Sequence, residues 1–262
     1  MTSSTRADGA TELLDLPTSG RRFSTTRKVR LGDTTPKGRL RLDAVARFLQ
    51  DVANDDARDA ALPDAMWWIL RRTKMVVVEP CAFDDQLTIT TWCSGSGGRW
   101  AERRTRLESP RGGLIETVSV WVSIDSDTGA PKRLDPMFHE VWGTAAAGRT
   151  VRARLLHGDP SGEVIERPWT VRFTDLDLMG HVNNAVYWAA VEESMARHRT
   201  GGRVTAEVEF RDGVDAHTAP ALVEAERPDG VDGWFVLDGG AAASYSWTAV
   251  EGSAVEGNTA ER

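Results

Sequence analysis

The feature that most constrains this chain is an internal repeat. A shift of 142 residues places Arg30 on Arg172, Asp33 on Asp175 and Gly38 on Gly180. Each half then shows a leading strand, a turn, a long helix and several strands, in that order. In the first half, residues 43–61 read as an amphipathic helix. Val45, Phe48, Leu49 and Val52 follow the i, i+3, i+4, i+7 spacing, Asp43 sits in the first turn and Pro63 follows the end. Strand-like runs come next at 74–78, 87–93, 100–108 and 114–125. In the last, Val118, Val120 and Val122 alternate with Ser119, Trp121 and Ser123. In the second half the helix spans 183–197, and strands read at 203–211, 221–227, 233–238 and 242–249. The strand TVSVWVS lies roughly against ASYSWTA. Matched order of every element predicts a tandem duplication.

The two copies differ in chemistry. Residues 173–187, FTDLDLMGHVNNAVY, set Asp177, His181, Asn183 and Asn184 around a turn that runs into the second helix. Under the same shift Asp177 faces Thr35, His181 faces Arg39 and Asn183 faces Arg41. One half thus keeps an acid, an imidazole and an amide, and the other has none of the three. This predicts one active half and one half used for scaffolding or substrate binding.

Each residue of the loop has a chemical use. Asp177 can attack a carbonyl or hold a water as general base, although an Asp here also suits a turn. His181 follows across Gly180, which permits a tight bend, and an imidazole suits proton transfer in either direction. It could orient a water, protonate a leaving group or hydrogen-bond Asp177. Asn183 and Asn184 stand where a helix begins, and Asn is a preferred cap there. The remaining free N–H groups and the positive helix end can receive a developing oxyanion.

Composition excludes other classes. With 40% apolar and 27% charged residues the chain is globular, and its net charge of −7 argues against nucleic acid as partner. Cys81 and Cys93 sit in no CxxC or Cys/His cluster, so neither a metal nor any cofactor is expected. No apolar leader and no run of 18 apolar residues is visible, so no membrane association is expected and cytoplasm is the default compartment. Residues 1–21 read as a flexible leader, 22–142 as the N-terminal half, 143–164 as a linker, 165–250 as the C-terminal half and 251–262 as a loose tail.

The run from Trp67 to Ser109 resembles acyl-[acyl carrier protein] thioesterases of plants and bacteria. The matching positions are Trp68, Lys74, Met75, Thr91, Trp92, Ser94, Gly98, Arg103 and Arg104, and DLDLMGHVNNAVY resembles the family's second-half loop. The resemblance covers roughly residues 22–250. It implies an α+β tandem (double) hotdog: two antiparallel sheets, each wrapped around a long central helix. It implies hydrolysis of the thioester between a fatty acyl chain and the phosphopantetheine of acyl carrier protein, in fatty acid biosynthesis. The family's catalytic aspartate and histidine map onto Asp177 and His181. Related single-hotdog thioesterases imply the Asn184 backbone N–H as the polarising donor. Two family groups are missing: the catalytic asparagine falls on Met179, and the acid and cysteine of plant members fall on Gly213 and Val214. Asp212 or Asp215 could stand in for the acid. An acyl-CoA thioesterase and a non-catalytic acyl-binding hotdog are the alternatives, and homodimer formation is left open.

Three further groups invite roles. Glu193 falls on a small-residue helix face with Val186, Ala189 and Ala190, where a carboxylate needs a partner. Arg71, Arg72, Lys74, Arg103, Arg104 and Arg106 form a basic cluster suited to an acidic carrier protein. Trp67, Trp68, Trp92, Trp100 and Trp121, half of the ten tryptophans, fall in the first half and could line an acyl tunnel.

Overall fold

The helix expected from Val45, Phe48, Leu49 and Val52 forms as α1 (Leu42–Asp59), with all four side chains buried. Its counterpart is α3 (Asn184–Arg197), whose cap Asn183 accepts from the Ala185 N–H at 2.9 Å. The computed structural model describes residues 14–61, 67–200 and 202–250. Most of the expected leader, Pro63 and the expected tail therefore lie outside the described residues. A short helix, α2 (Pro136–Trp142), was not expected from periodicity. Asp135 caps it by accepting from Met137, and it buries Phe138 and Trp142. Among the described residues, no helix is long and apolar enough to cross a membrane.

The strands are β1 (Phe23–Lys28), β2 (Trp67–Glu79), β3 (Gln86–Ser96), β4 (Trp100–Glu108), β5 (Leu114–Ile124), β6 (Ile165–Arg167), β7 (Val204–Phe210), β8 (Ala221–Arg227), β9 (Gly230–Leu237) and β10 (Gly240–Ala249). β2 starts seven residues before the apolar run that announced it. Its first five residues, Trp67 to Arg71, are exposed or half-exposed, and the buried Arg72 follows them, so the apolar alternation starts late.

All pairings are antiparallel, in the order β1-β3-β4-β5-β2-β7-β10-β9-β8-β6. Read from each outer edge inward, the two halves have the same strand order. The α+β class is as expected, but the two sheets are one. β2 and β7 pair from Arg72↔Glu209 to Val77↔Val204, so each half covers the open edge of the other. An unpaired apolar edge is a liability, and mutual pairing removes it. α1 and α3 pack against each other, and one apolar core runs through both halves, from Val45 and Leu49 to Trp188 and Val191.

The repeat extends to single hydrogen bonds. The Thr35 N–H donates to the Arg39 carbonyl at 2.8 Å, and the Asp177 N–H to the His181 carbonyl at 2.8 Å. Gly38 and Gly180 close the two turns at φ +81° and +78°, a region that favours glycine. Arg41 N–H to Asp33 and Asn183 N–H to Asp175 then lead into the two helices.

Buried polar hubs tie the outer segments down. Asp56 on α1 takes Arg21 at 2.7 Å, Arg103 at 2.7 Å and the Trp142 indole at 3.0 Å. Residues 151–164 carry neither helix nor strand, yet they are strapped to the sheet. Glu209 accepts from the Leu156 and His157 N–H groups, and the indoles of Trp100 and Trp234 donate to Val151 and Gly158.

Candidate active site

Asp177, His181, Asn183 and Asn184 lie on one loop and the helix start it feeds. Two 3-10 turns with the same cap open this loop and its twin: Arg172 with Asp175, and Arg30 with Asp33. Asp175 is buried and holds the Arg172 guanidinium at 2.7 Å, which fixes the approach to Asp177.

Asp177 is half-buried. Its Oδ1 accepts from the Met179 N–H at 2.8 Å, so it caps the turn, while Oδ2 makes no hydrogen bond among the described residues. Asp177 and His181 are joined through their main chains, and the His181 imidazole turns to the opposite strand connection. Its Nε2 lies 3.1 Å from Asp215 Oδ1. Of the two acids weighed for the missing family carboxylate, Asp215 is the one that lies beside His181. Gly213 sits against the same ring: a Cβ there would lie 3.0 Å from Nδ1. The absent side chain leaves that edge of the imidazole uncovered, and His181 is about half exposed at 49%. Val214 is buried, and its carbonyl takes the Val182 N–H at 2.8 Å.

Asn183 spends its side chain on capping and also accepts from Gln50 Nε2 at 3.1 Å. The next N–H, that of Asn184, has no acceptor among the described residues. Asn184 is also one of the residues that line a cavity of about 10 Å³ between the helices and the sheet, with Leu49, Gln50, Ser119, Trp121 and Trp188. That volume is room for about one water molecule, so an acyl chain needs side chains to move.

Several residues weighed from sequence do other work. Glu193 is exposed, and the buried carboxylate is its neighbour Glu192. Glu192 takes both guanidinium nitrogens of Arg39, at 3.0 and 2.6 Å, and the Leu42 N–H at 2.6 Å. The basic cluster is mostly committed within the fold. Arg72 pairs with Glu207, Arg103 with Asp56, Arg104 with Glu102 and Arg106 with Glu116, while Arg71 donates to main-chain carbonyls. Trp92 is core, Trp68 packs on Phe138 with the rings tilted at 49°, and of the five tryptophans only Trp121 reaches the cavity. Burial pushes the Cys81 thiol up to about 12 and raises that of Cys93, which suits buried packing rather than nucleophilic attack. His157, Glu207 and Glu209 approach within 4.8 Å of one another, but Glu207 faces Arg72 and Glu209 faces backbone N–H groups.

Gln50 and Glu192 escaped the sequence reading, as did the pairing of Arg39 with Glu192. The signal was there: the shift that aligns the turns also places Gln50 on Glu192.

Comparison with known proteins decides the family. Residues 20–142 match the acyl-ACP thioesterase N-terminal domain, and residues 158–215 match the acyl-ACP thioesterase C-terminal domain. The chain belongs to the acyl-ACP thioesterase family. An uncharacterized Mycobacterium tuberculosis protein, Rv2001, is 32% identical over 186 residues, covering 71% of this chain and 74% of that protein. Among solved structures, the 12:0-ACP thioesterase from Umbellularia californica superposes with a TM-score of 0.71 at 18% identity. It covers 87% of this chain and 96% of that one. An acyl-ACP thioesterase from Bacteroides thetaiotaomicron gives 0.68 at 16% identity, over 87% and 97%. These two share the fold along nearly their whole length. In this thioesterase the loop described above lies within the stretch that matches the C-terminal domain.

Proposed function

We propose that this family member releases free fatty acid from acyl-ACP at one centre, built in its second half. The observation that carries the reading is the open Asn184 N–H at the start of α3, on the same loop as Asp177 and the His181–Asp215 pair. The thioester carbonyl oxygen takes that N–H, where the positive helix end favours the charge that develops. Asp177 delivers the nucleophile, directly or by taking a proton from water. His181, oriented by Asp215, gives a proton to the departing phosphopantetheine thiolate. Each half acts as one hotdog unit: residues 22–142 as scaffold and acyl-binding half, 143–164 as the connecting strap and 165–250 as the catalytic half. Met179 marks where the family's asparagine is missing, so this centre works with fewer hydrogen bonds.

The carrier is the protein rather than coenzyme A. The test is side-by-side steady-state kinetics on palmitoyl-ACP and palmitoyl-CoA. The proposal expects kcat/KM on the ACP substrate to exceed that on the CoA substrate by at least about tenfold, a differential binding of about 1.4 kcal/mol. Equal or reversed values would assign the chain to acyl-CoA instead.

A further inference from the structure

The two helix starts are twins with opposite occupancy. At α1 the Leu42 N–H holds a carboxylate oxygen, Glu192 Oε1, at 2.6 Å, and Arg39 clamps the same carboxylate. At α3 the equivalent N–H, that of Asn184, is open. The repeat carries Leu42 onto Asn184, Arg39 onto His181 and Glu192 onto Gln50. Glu192 reaches from α3 across to the start of α1, and Gln50 reaches from α1 across to the start of α3. In the first half the reaching side chain is an anion that fills the donor site. In the second it is a neutral amide that does not.

The amide orientation follows from its neighbours. Asn183 Oδ1 already accepts from the Ala185 N–H, so it is an oxygen, and the Gln50 atom 3.1 Å away must be the donating Nε2. Gln50 therefore steadies the cap of α3, and it lines the same cavity as Asn184.

We propose that Gln50 is a positioning residue of the second-half centre: it holds Asn183 in place and, being uncharged, leaves the Asn184 N–H free for the thioester oxygen. Glu192 on Leu42 is the internal picture of the filled alternative, an anionic oxygen seated on a helix-start N–H. The first half is thus silenced by its own partner helix as well as by the loss of the loop residues. This inference rests on the hydrolase reading above.

The experiment compares wild type, Gln50→Glu and Gln50→Leu by palmitoyl-ACP hydrolysis and thermal melting of the full chain. Gln50→Glu is expected to lose about 100-fold or more in kcat, the usual effect of removing one oxyanion donor. It should melt at or above the wild-type temperature, because a carboxylate at a helix start is favourable. Gln50→Leu, which can neither hold Asn183 nor fill the donor site, is expected to lose about tenfold in kcat, one net hydrogen bond, with KM little changed. A merely structural Gln50 would move stability and activity down together in both variants, and that result would overturn the inference. Gln50→Glu within threefold of wild-type kcat would overturn it too. An active wild type in the same assay shows that such a failure belongs to this inference alone. An inactive wild type would overturn both it and the hydrolase reading.

Discussion

Asp177→Asn is expected to lower acyl-ACP hydrolysis by about 10³-fold, within the range a positioned general base or nucleophile supplies. Asparagine is the informative replacement. Its Oδ1 can still accept from the Met179 N–H, the bond that Asp177 Oδ1 makes at 2.8 Å, and Asn suits such turns. The turn therefore survives while the charge and basicity are lost. Asp177→Ala removes both, and the difference between the two variants measures what the cap contributes to holding His181 and Asn183. Steady-state release of holo-ACP reads the rate, and thermal melting shows that the Asn variant keeps its fold. A wild-type rate in Asp177→Asn would leave Asp177 as a turn cap alone.

Glu192→Ala is expected to cost about 3–5 kcal/mol of stability, the usual consequence of breaking a buried ion pair from one side. The change strands Arg39, which is largely buried, and leaves the Leu42 N–H with no acceptor in the core between α1 and α3. Glu192→Gln keeps an acceptor for Leu42 and should cost less. Urea unfolding at neutral pH measures both. A change below about 1 kcal/mol for Glu192→Ala would mean that the two halves are held by the β2–β7 pairing and the apolar core without help from this pair. Neither variant is expected to make the first half active, because Arg39 and Thr35 stand where the second half has His181 and Asp177.

Much of this architecture was legible in the sequence because its signals are local. The spacing of Val45, Phe48, Leu49 and Val52 set α1, and the Asn183–Asn184 pair marked the start of α3 to within one residue. The shift that aligned Gly38 with Gly180 foretold two matching turns; that they share their hydrogen bonds came from the structure. What escaped was non-local. Nothing in the β2 or β7 runs says that they pair with each other, since an apolar strand edge reads the same whichever partner covers it. That pairing turned two expected sheets into one. In the site, the loop residues were visible as a dense polar run, but their partners were not. Asp215 could be named as a candidate and not chosen over Asp212, because only the fold brings it to His181 Nε2. Glu193 was singled out over Glu192 because helical spacing alone leaves a phase error of one residue, about 100° of helix. Gln50 looked like an ordinary polar residue on an amphipathic helix until the structure placed it against Asn183.

The central claim is that one chain turns over acyl-ACP at a single centre. The most direct measurement incubates a catalytic amount of the purified chain with excess palmitoyl-ACP and follows palmitate and holo-ACP together. The account predicts many turnovers per chain, with the two products formed in equal amounts. Palmitoyl-ACP recovered intact, or held in a stable one-to-one complex, would contradict it and identify an acyl-binding protein instead.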